Sequence, residues 1–281
     1  MNKYVLVTGT STGIGYDAAR ELIANGCHVF GSVRSVEDGE RVGQALGDGF
    51  SPLVFDVTDE DAIAAAVATV EAMVGSHGLT GLVNNAGIAP VGPLMHMPVS
   101  DFKRLLDINV TGVLRVTQAF LPLLGAKRGS AHPPGRIVNV SSNAGCVATP
   151  MAVAYSTSKF AVEAMTDGLR RELSIYGIHV AAIEPGPIRT PIWDKARRSD
   201  VYSRYAATDF SAAMEAMEKV GNVAAIRGQP VETVSAVIRD ALLKPRPKAR
   251  YPLNPMWHIS KFLPTRLLDK ALCRRFNLRT G

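Results

Sequence analysis

Three cysteines in 281 residues, Cys27, Cys146 and Cys273, with no CxxC pair among them, leave no material for a disulfide framework or a thiolate zinc site. A reducing, cytoplasmic setting is therefore expected. No apolar run approaches the roughly 20 residues of a membrane-spanning helix. The first apolar stretch, Tyr4 to Val7, is too short for a secretion signal and runs at once into a glycine-rich turn, so the chain is expected to start at Met1 without a leader. His, Cys, Asp and Glu nowhere gather at metal-ligand spacing, so no metal is expected. Repeats and low-complexity tracts are missing too. With 47% apolar and 20% charged residues, what remains is an ordinary globular composition, long enough for one large domain.

The charge is unevenly placed. Residues 244–281 hold ten Lys/Arg against one acid, Asp269, a net +9 of the whole-chain +6, so the preceding 243 residues stand at −3. No helix-turn-helix, zinc-finger or RNA-binding motif accompanies this excess, which argues against a nucleic-acid partner.

Short β-branched runs alternate with helical stretches, the pattern of parallel βαβ units. Strands are predicted at Tyr4 to Thr8, Cys27 to Val33, Pro52 to Phe55, Gly81 to Asn84, Arg136 to Ser141 and His179 to Glu184. Several are apolar at consecutive positions, as when helices cover both faces of a sheet. Ile14, Ala18 and Leu22 mark one helical stripe, closed by Gly26; Val162, Met165, Leu169 and Leu173 mark another. After Glu184 the alternation stops. Residues 185–230 open with Pro185, Pro187 and Pro191, then turn polar and alanine-rich without a strand, which suits a mobile flap over a site. A helix follows from about Val231 to Leu243. The expectation is an α/β fold: a doubly wound parallel sheet, Rossmann-like, in a single catalytic domain over 1–250 with a substrate flap at 185–230. Residues 251–281 would form a basic helical extension.

The first strand runs into Thr8-Gly9-Thr10-Ser11-Thr12-Gly13-Ile14-Gly15, and the next helix starts inside that motif. Glycines let backbone approach a pyrophosphate closely, and a helix N-terminus offers unpaired N–H groups and positive dipole to the anion. A P-loop would need Lys-Ser/Thr after the last glycine, where Tyr16-Asp17 stands. Coenzyme choice is read at the end of the second strand: an acid there accepts the ribose hydroxyls of NAD, and an arginine meets the extra phosphate of NADP. Ser32-Val33-Arg34-Ser35 has no acid, which favours NADP and leaves NAD use open.

Tyr155 and Lys159 are four apart, hence on one helical face. A free phenol titrates near about 10, and a neighbouring ammonium lowers that value, giving an acid/base group for an alcohol or ketone. Thirteen residues upstream, Ser142 stands at the end of a predicted strand, where ligands of a parallel sheet bind. Each alone admits a plainer role: half-buried helix residue, surface charge, turn former.

Together with the glycine motif they resemble the short-chain dehydrogenase/reductase family, in its shorter-chain branch, over roughly residues 3 to 192. Phe55-Asp56-Val57, Asn84-Asn85-Ala86-Gly87, Asn109 and Pro185-Gly186-Pro187-Ile188-Arg189-Thr190 stand in register with the same family. The resemblance implies coenzyme contacts from Gly9, Ser11, Thr12, Gly13, Ile14, Gly15 and Arg34. It implies that Asp56 and Val57 hold adenine, that Asn85, Ala86 and Gly87 pass the adenine ribose, and that Pro185, Gly186, Ile188 and Thr190 flank the nicotinamide. Tyr155 would be the general acid or base, with Lys159 lowering its pKa and binding the nicotinamide ribose. Ser142 would hold the substrate oxygen, and Asn109 would support a water-linked proton relay through Lys159. Thr12 departs from the basic residue many NADP-preferring members carry there, which leaves Arg34 to act largely alone.

By family position the substrate pocket is lined by Asn143 to Met151, Ile88 to Met97 and the segment after Pro191, with Ile192 and Trp193. These stretches are mainly apolar, so a lipophilic ketone or secondary alcohol of steroid, retinoid or bulky aromatic kind is expected, rather than a sugar. The competing readings are an NAD-preferring alcohol dehydrogenase and a coenzyme-sensing binding protein without turnover. The family implies a homodimer or homotetramer. In the tail, Leu267, Leu268, Ala271, Leu272 and Phe276 form an apolar face beside Arg266, Lys270, Arg274 and Arg275. Such a helix caps its own domain, meets a second subunit, or makes peripheral contact with an anionic membrane.

Overall fold

The computed structural model describes residues 3–190, 202–254 and 259–278. Seven parallel strands form one sheet in the order β3-β2-β1-β4-β5-β6-β7. They are β1 Lys3–Val7, β2 Cys27–Val33, β3 Phe50–Val54, β4 Gly81–Asn84, β5 Arg136–Val140, β6 His179–Glu184 and β7 Arg250–Pro252. The order reverses between β1 and β4, so the loops after these strands part to opposite sides and leave a crevice at the carboxyl edge.

Helices α1 (Gly13–Ala24), α2 (Val36–Leu46), α3 (Glu60–Val74), α4 (Val99–Leu106), α5 (Gly112–Phe120), α6 (Val153–Glu172), α7 (Ser211–Arg227), α8 (Val231–Leu243) and α9 (Thr265–Arg275) complete the described chain. Between α4 and α5, Asp107–Thr111 form a π-helical turn, so the run from Val99 to Phe120 is a single helix with one widened turn. Two apolar cores follow from burial of both sheet faces. Val5, Val7, Val29, Val138 and Ile183 pack against α1 and α8, while Leu6, Phe30, Leu82, Ile137 and Val180 pack against α3 and α5. Alternate residues of each strand thus serve opposite layers, which is why these strands read as continuous apolar runs.

A third, smaller cluster lies apart from the sheet: Met151, Tyr205, Ala213, Met214, Met217 and Phe276. It joins the loop after β5, helix α7 and the C-terminal segment. Phe276, 1% exposed, is the tail's anchor in it.

Six strands lie where the sequence places them, with ends differing by two residues or fewer. β7 has only three residues and ends in proline, a residue tolerated at a sheet edge because no further strand needs its N–H. The boundary expected between 250 and 251 falls inside this strand, and Leu253 N–H still donates to the Glu184 carbonyl at 3.1 Å. Helix α7 forms in the stretch that showed no clear period, since its Ala, Met and Glu content favours helix on propensity alone. Ile192 and Trp193 lie outside the described residues.

Candidate active site

The turn after β1 is held from both sides. Gly9 N–H donates to Ser32 Oγ at 2.9 Å, and Thr10 N–H and Oγ1 both donate to the Ser32 carbonyl. From the β4 side, Asn85 Nδ2 donates to the carbonyls of Thr8 (2.9 Å) and Gly9 (3.2 Å), while Thr8 Oγ1 accepts from the N–H groups of Asn85 and Ala86. Asn85 therefore braces the glycine turn, and Ser32 is a partner that local sequence did not reveal. Gly9 and Gly13 adopt φ of +72° and +63°, left-handed values that disfavour any side chain.

Helix α1 then begins with no side-chain cap and no acid in its first turn. By contrast, α2 is capped by Ser35 with Glu37 and Asp38 following, and α3 by Asp59 with Glu60 and Asp61. Left-handed glycines leading to a helix start without a carboxylate fit a dinucleotide's pyrophosphate. Thr12 is exposed and Ser11, Ile14 and Gly13 are partly so, at the mouth of this turn.

Arg34 is exposed at the end of β2. A second guanidinium stands close to the turn: Arg41 Nη2 donates to the Ser11 carbonyl at 2.9 Å while paired with Asp38 at 2.5 Å. Arg41 was missed from sequence because its link to Ser11 spans thirty residues. Farther along the edge, Asp56 Oδ1 accepts from Thr58 N–H and Oγ1 at 3.0 and 2.8 Å, a local turn that fixes the carboxylate, and the neighbouring Val57 is buried. Pro185 and Ile188 are buried after β6; the Pro185 carbonyl accepts from Asn143 N–H at 2.9 Å, tying the β6 exit to the β5 exit. Gly186 and Thr190 are partly exposed there, and Gly87 lies open beyond β4.

The four candidate catalytic residues come together around α6. Ser142, just past β5, donates to Asn143 Oδ1 at 3.0 Å, accepts from Ala144 N–H at 3.1 Å, and stands near enough to the Tyr155 hydroxyl to favour its ionised form. Lys159 Nζ lies 5.7 Å from the centre of the Tyr155 ring and donates to the Val140 carbonyl at 2.8 Å. Asn109 sits in the π turn with its amide fully engaged. It exchanges two hydrogen bonds with the Ile88 backbone (2.9 and 2.8 Å) and donates to Ser158 Oγ at 3.1 Å. It thus pins the loop after β4 to α6.

The electrostatics differ from expectation in one respect. Burial pushes the Tyr155 phenol above its ordinary value, with the Ser142 hydroxyl pulling back only in part. Burial brings the Lys159 ammonium down to about 8, opposed by the charge of Glu163.

A cavity of about 340 Å³ lies between the loops after β4 and β5 and the C-terminal segment, lined among others by Pro93, Leu94, Pro150, Met151, Leu272 and Leu278. Both expected loops contribute, and the tail supplies a wall the sequence reading did not foresee. Ser142 and Tyr155 are not among the lining residues. Met151 holds φ +64°, unusual for a side chain, with its carbonyl accepting from Gly92 N–H at 2.7 Å and its thioether in the third cluster.

Residues 3–201 match the family model described as short chain dehydrogenase. An NADPH-dependent 3-dehydrocapnine reductase from Ornithobacterium rhinotracheale is 41% identical over 272 residues, 95% of each chain. Retinol dehydrogenase 16 from Homo sapiens is 34% identical over 96% of this chain and 88% of its own length. A short-chain dehydrogenase from Streptomyces avermitilis superposes with a TM-score of 0.75 at 29% identity, covering 98% of this chain and 94% of that one. ElxO with NADP bound gives 0.71 at 25% identity, over 90% and 96%.

Proposed function

The chain belongs to the short-chain dehydrogenase family, and on that premise we propose that it is an oxidoreductase moving a hydride between NADP(H) and a lipophilic ketone or secondary alcohol. The observation that carries the reading is that Tyr155 and Lys159 stand side by side on α6, with Ser142 at the carboxyl end of β5, the same edge of the parallel sheet that carries the glycine turn after β1. Arg34 and Arg41 favour the phosphorylated coenzyme, in keeping with the NADPH-dependent relative and the NADP-bound neighbour. The apolar lining of the cavity favours a lipophilic substrate, and the retinol dehydrogenases point the same way.

When bound, the coenzyme supplies the hydride. The residues of this chain do the rest. Ser142 Oγ and the Tyr155 hydroxyl donate hydrogen bonds to the substrate oxygen, so that the negative charge growing on it is met by two fixed donors. The Tyr155 proton then passes to that oxygen, and the Lys159 ammonium steadies the phenolate left behind. Donation of the phenol's proton serves reduction; oxidation of an alcohol runs the same steps backward. Tyr155→Phe removes the proton and one donor and should lower kcat about 10²- to 10⁴-fold while NADPH binding changes little. Steady-state assay at 340 nm over a ketone panel, with fluorescence titration of NADPH, checks this; unaltered turnover in the variant would defeat the assignment.

For the tail, we infer contact with an anionic lipid surface. Ile259, Phe262, Leu263 and Leu267 are exposed, Phe262 to 88%, and exposed Arg266 and Lys270 flank them. Vesicle flotation should retain the wild type on anionic but not neutral membranes, and the pair Phe262→Glu with Leu263→Glu should abolish it. Equal recovery of both proteins would refute the contact.

A further inference from the structure

Next to the candidate catalytic lysine along α6 lies a partly buried cluster of charge that the mechanism above does not use. Arg250, on the edge strand β7, donates through Nη1 to Glu163 Oε2 and, at 2.7 Å, to Glu184 Oε1, and through Nη2 to Asp167 Oδ1 at 2.8 Å. Glu163 and Asp167 come from α6, and Glu184 from the end of β6. Arg170 also binds Asp167, at 2.7 Å. Three carboxylates thus face two guanidiniums. Arg171, 3.9 Å from Asp167, is largely solvated and adds little.

The second oxygen of Glu163, Oε1, is buried with the Ser141 hydroxyl beside it and no charged donor of its own; burial pushes the Glu163 carboxyl up, and Ser141 and Arg250 pull it back. A buried carboxylate oxygen left this way is costly unless a cation compensates it. One turn back along α6 stands Lys159, equally buried, with a backbone carbonyl as its hydrogen-bond partner. The four-residue spacing sets its ammonium on the same face of α6 as Glu163.

We propose that Glu163 is a positioning residue that keeps Lys159 in its charged form, its own carboxylate being held in place by Arg250. The inference rests on the role proposed for Lys159 and deepens it. Through Arg250, strand β7 is linked to Glu163 and Glu184, which gives a three-residue edge strand a reason to carry an arginine. The other titratable groups on elements packed against α6 are accounted for. Tyr155 lies on the helix itself, Asp107 of the π turn is paired with Arg115 at 2.8 Å, and Asp101, Lys103 and Arg104 of α4 are exposed. Tyr176 follows the helix, and His179, at the opposite end of β6, binds the Lys248 carbonyl at 3.1 Å. The direction of the electrostatic effect agrees: the charge of Glu163 raises the proton affinity of Lys159 against the burial that lowers it.

The test exploits opposite signs. In protein carrying lysine labelled with ¹³C at Cε, the Lys159 resonance is assigned by its loss in Lys159→Arg and titrated against pH. Glu163→Gln keeps the side chain's shape and its ability to accept from Arg250 but removes the charge, so the midpoint should fall by at least about one unit, a tenfold loss of proton affinity. Arg250→Gln frees negative charge, so the midpoint should rise. Glu163→Asp should restore most of the wild-type value. With NADPH and a reducible ketone, the alkaline limb of kcat should move the same way in each variant. An unmoved midpoint in Glu163→Gln, or displacement of both variants in the same direction, would overturn the proposal, as a purely structural role predicts. Should the wild type reduce no ketone while the titrations still move apart, the functional reading fails and the electrostatic link stands.

Discussion

Arg34 and Arg41 are where the coenzyme preference can be tested directly. Arg34 was legible in the sequence because the position after β2 has a fixed meaning in this topology. Arg41 was not, since only the folded chain brings it onto the Ser11 carbonyl. A charge-assisted hydrogen bond is worth about 1.5–3 kcal/mol, so Arg34→Ala and Arg41→Ala should each raise KM for NADPH about tenfold or more, leaving KM for NADH within about twofold. Steady-state kinetics with both coenzymes decide it; parallel losses for NADH and NADPH would remove these guanidiniums from phosphate recognition. Tyr155 and Lys159 were also legible, because four-residue spacing on a helix brings side chains together whatever the surroundings. The direction of the phenol's pKa was not. Spacing announces a neighbouring cation, whereas burial, which prevails here, depends on the whole set of chains packed around the ring.

Among the elements, those with a strong period could be read and those defined by their partners could not. β2, β4 and β6 begin and end at the predicted residues, and α8 spans Val231–Leu243 as expected, since unbroken apolar runs and a Pro-bounded stripe specify them locally. β7 escaped notice because three residues hold no period, and its existence depends on β6 offering Ala182, Ile183 and Glu184 for pairing. The π turn at Asp107–Thr111 likewise has no local signature. Its consequence is to place Asn109 where one amide can grip both Ile88 and Ser158, so a loop that borders the cavity is fastened to the helix bearing Tyr155. Helix α1 is the converse case: Gly9, Gly13 and Gly15 spell out the turn, and the lack of an acid or cap at its start is visible in the bare sequence.

For the molecule as a whole, the decisive feature is that the C-terminal segment returns to the domain with Phe276 as its most buried side chain among the described residues. Phe276 is buried among Tyr205, Met214 and Met217 of the third cluster, away from the two cores that flank the sheet. Phe276→Ala should therefore cost that cluster about 3–5 kcal/mol, enough to release the tail while the sheet keeps its structure. Limited trypsin digestion should then remove the basic segment ahead of the remaining chain, with NADPH titration nearly unchanged. Collapse of coenzyme binding together with tail release would make the tail integral to the sheet domain instead. The sequence by itself determined the parallel α/β architecture, the glycine turn and the Ser142, Tyr155 and Lys159 set, because each rests on periodicity or short spacing along one chain. Only the tertiary structure decided that Arg41 reaches the turn, that the tail walls the cavity, and that Arg250 joins Glu163, one turn from Lys159, to Glu184. Those relations join residues from separate elements, and nothing but packing brings them within reach of one another.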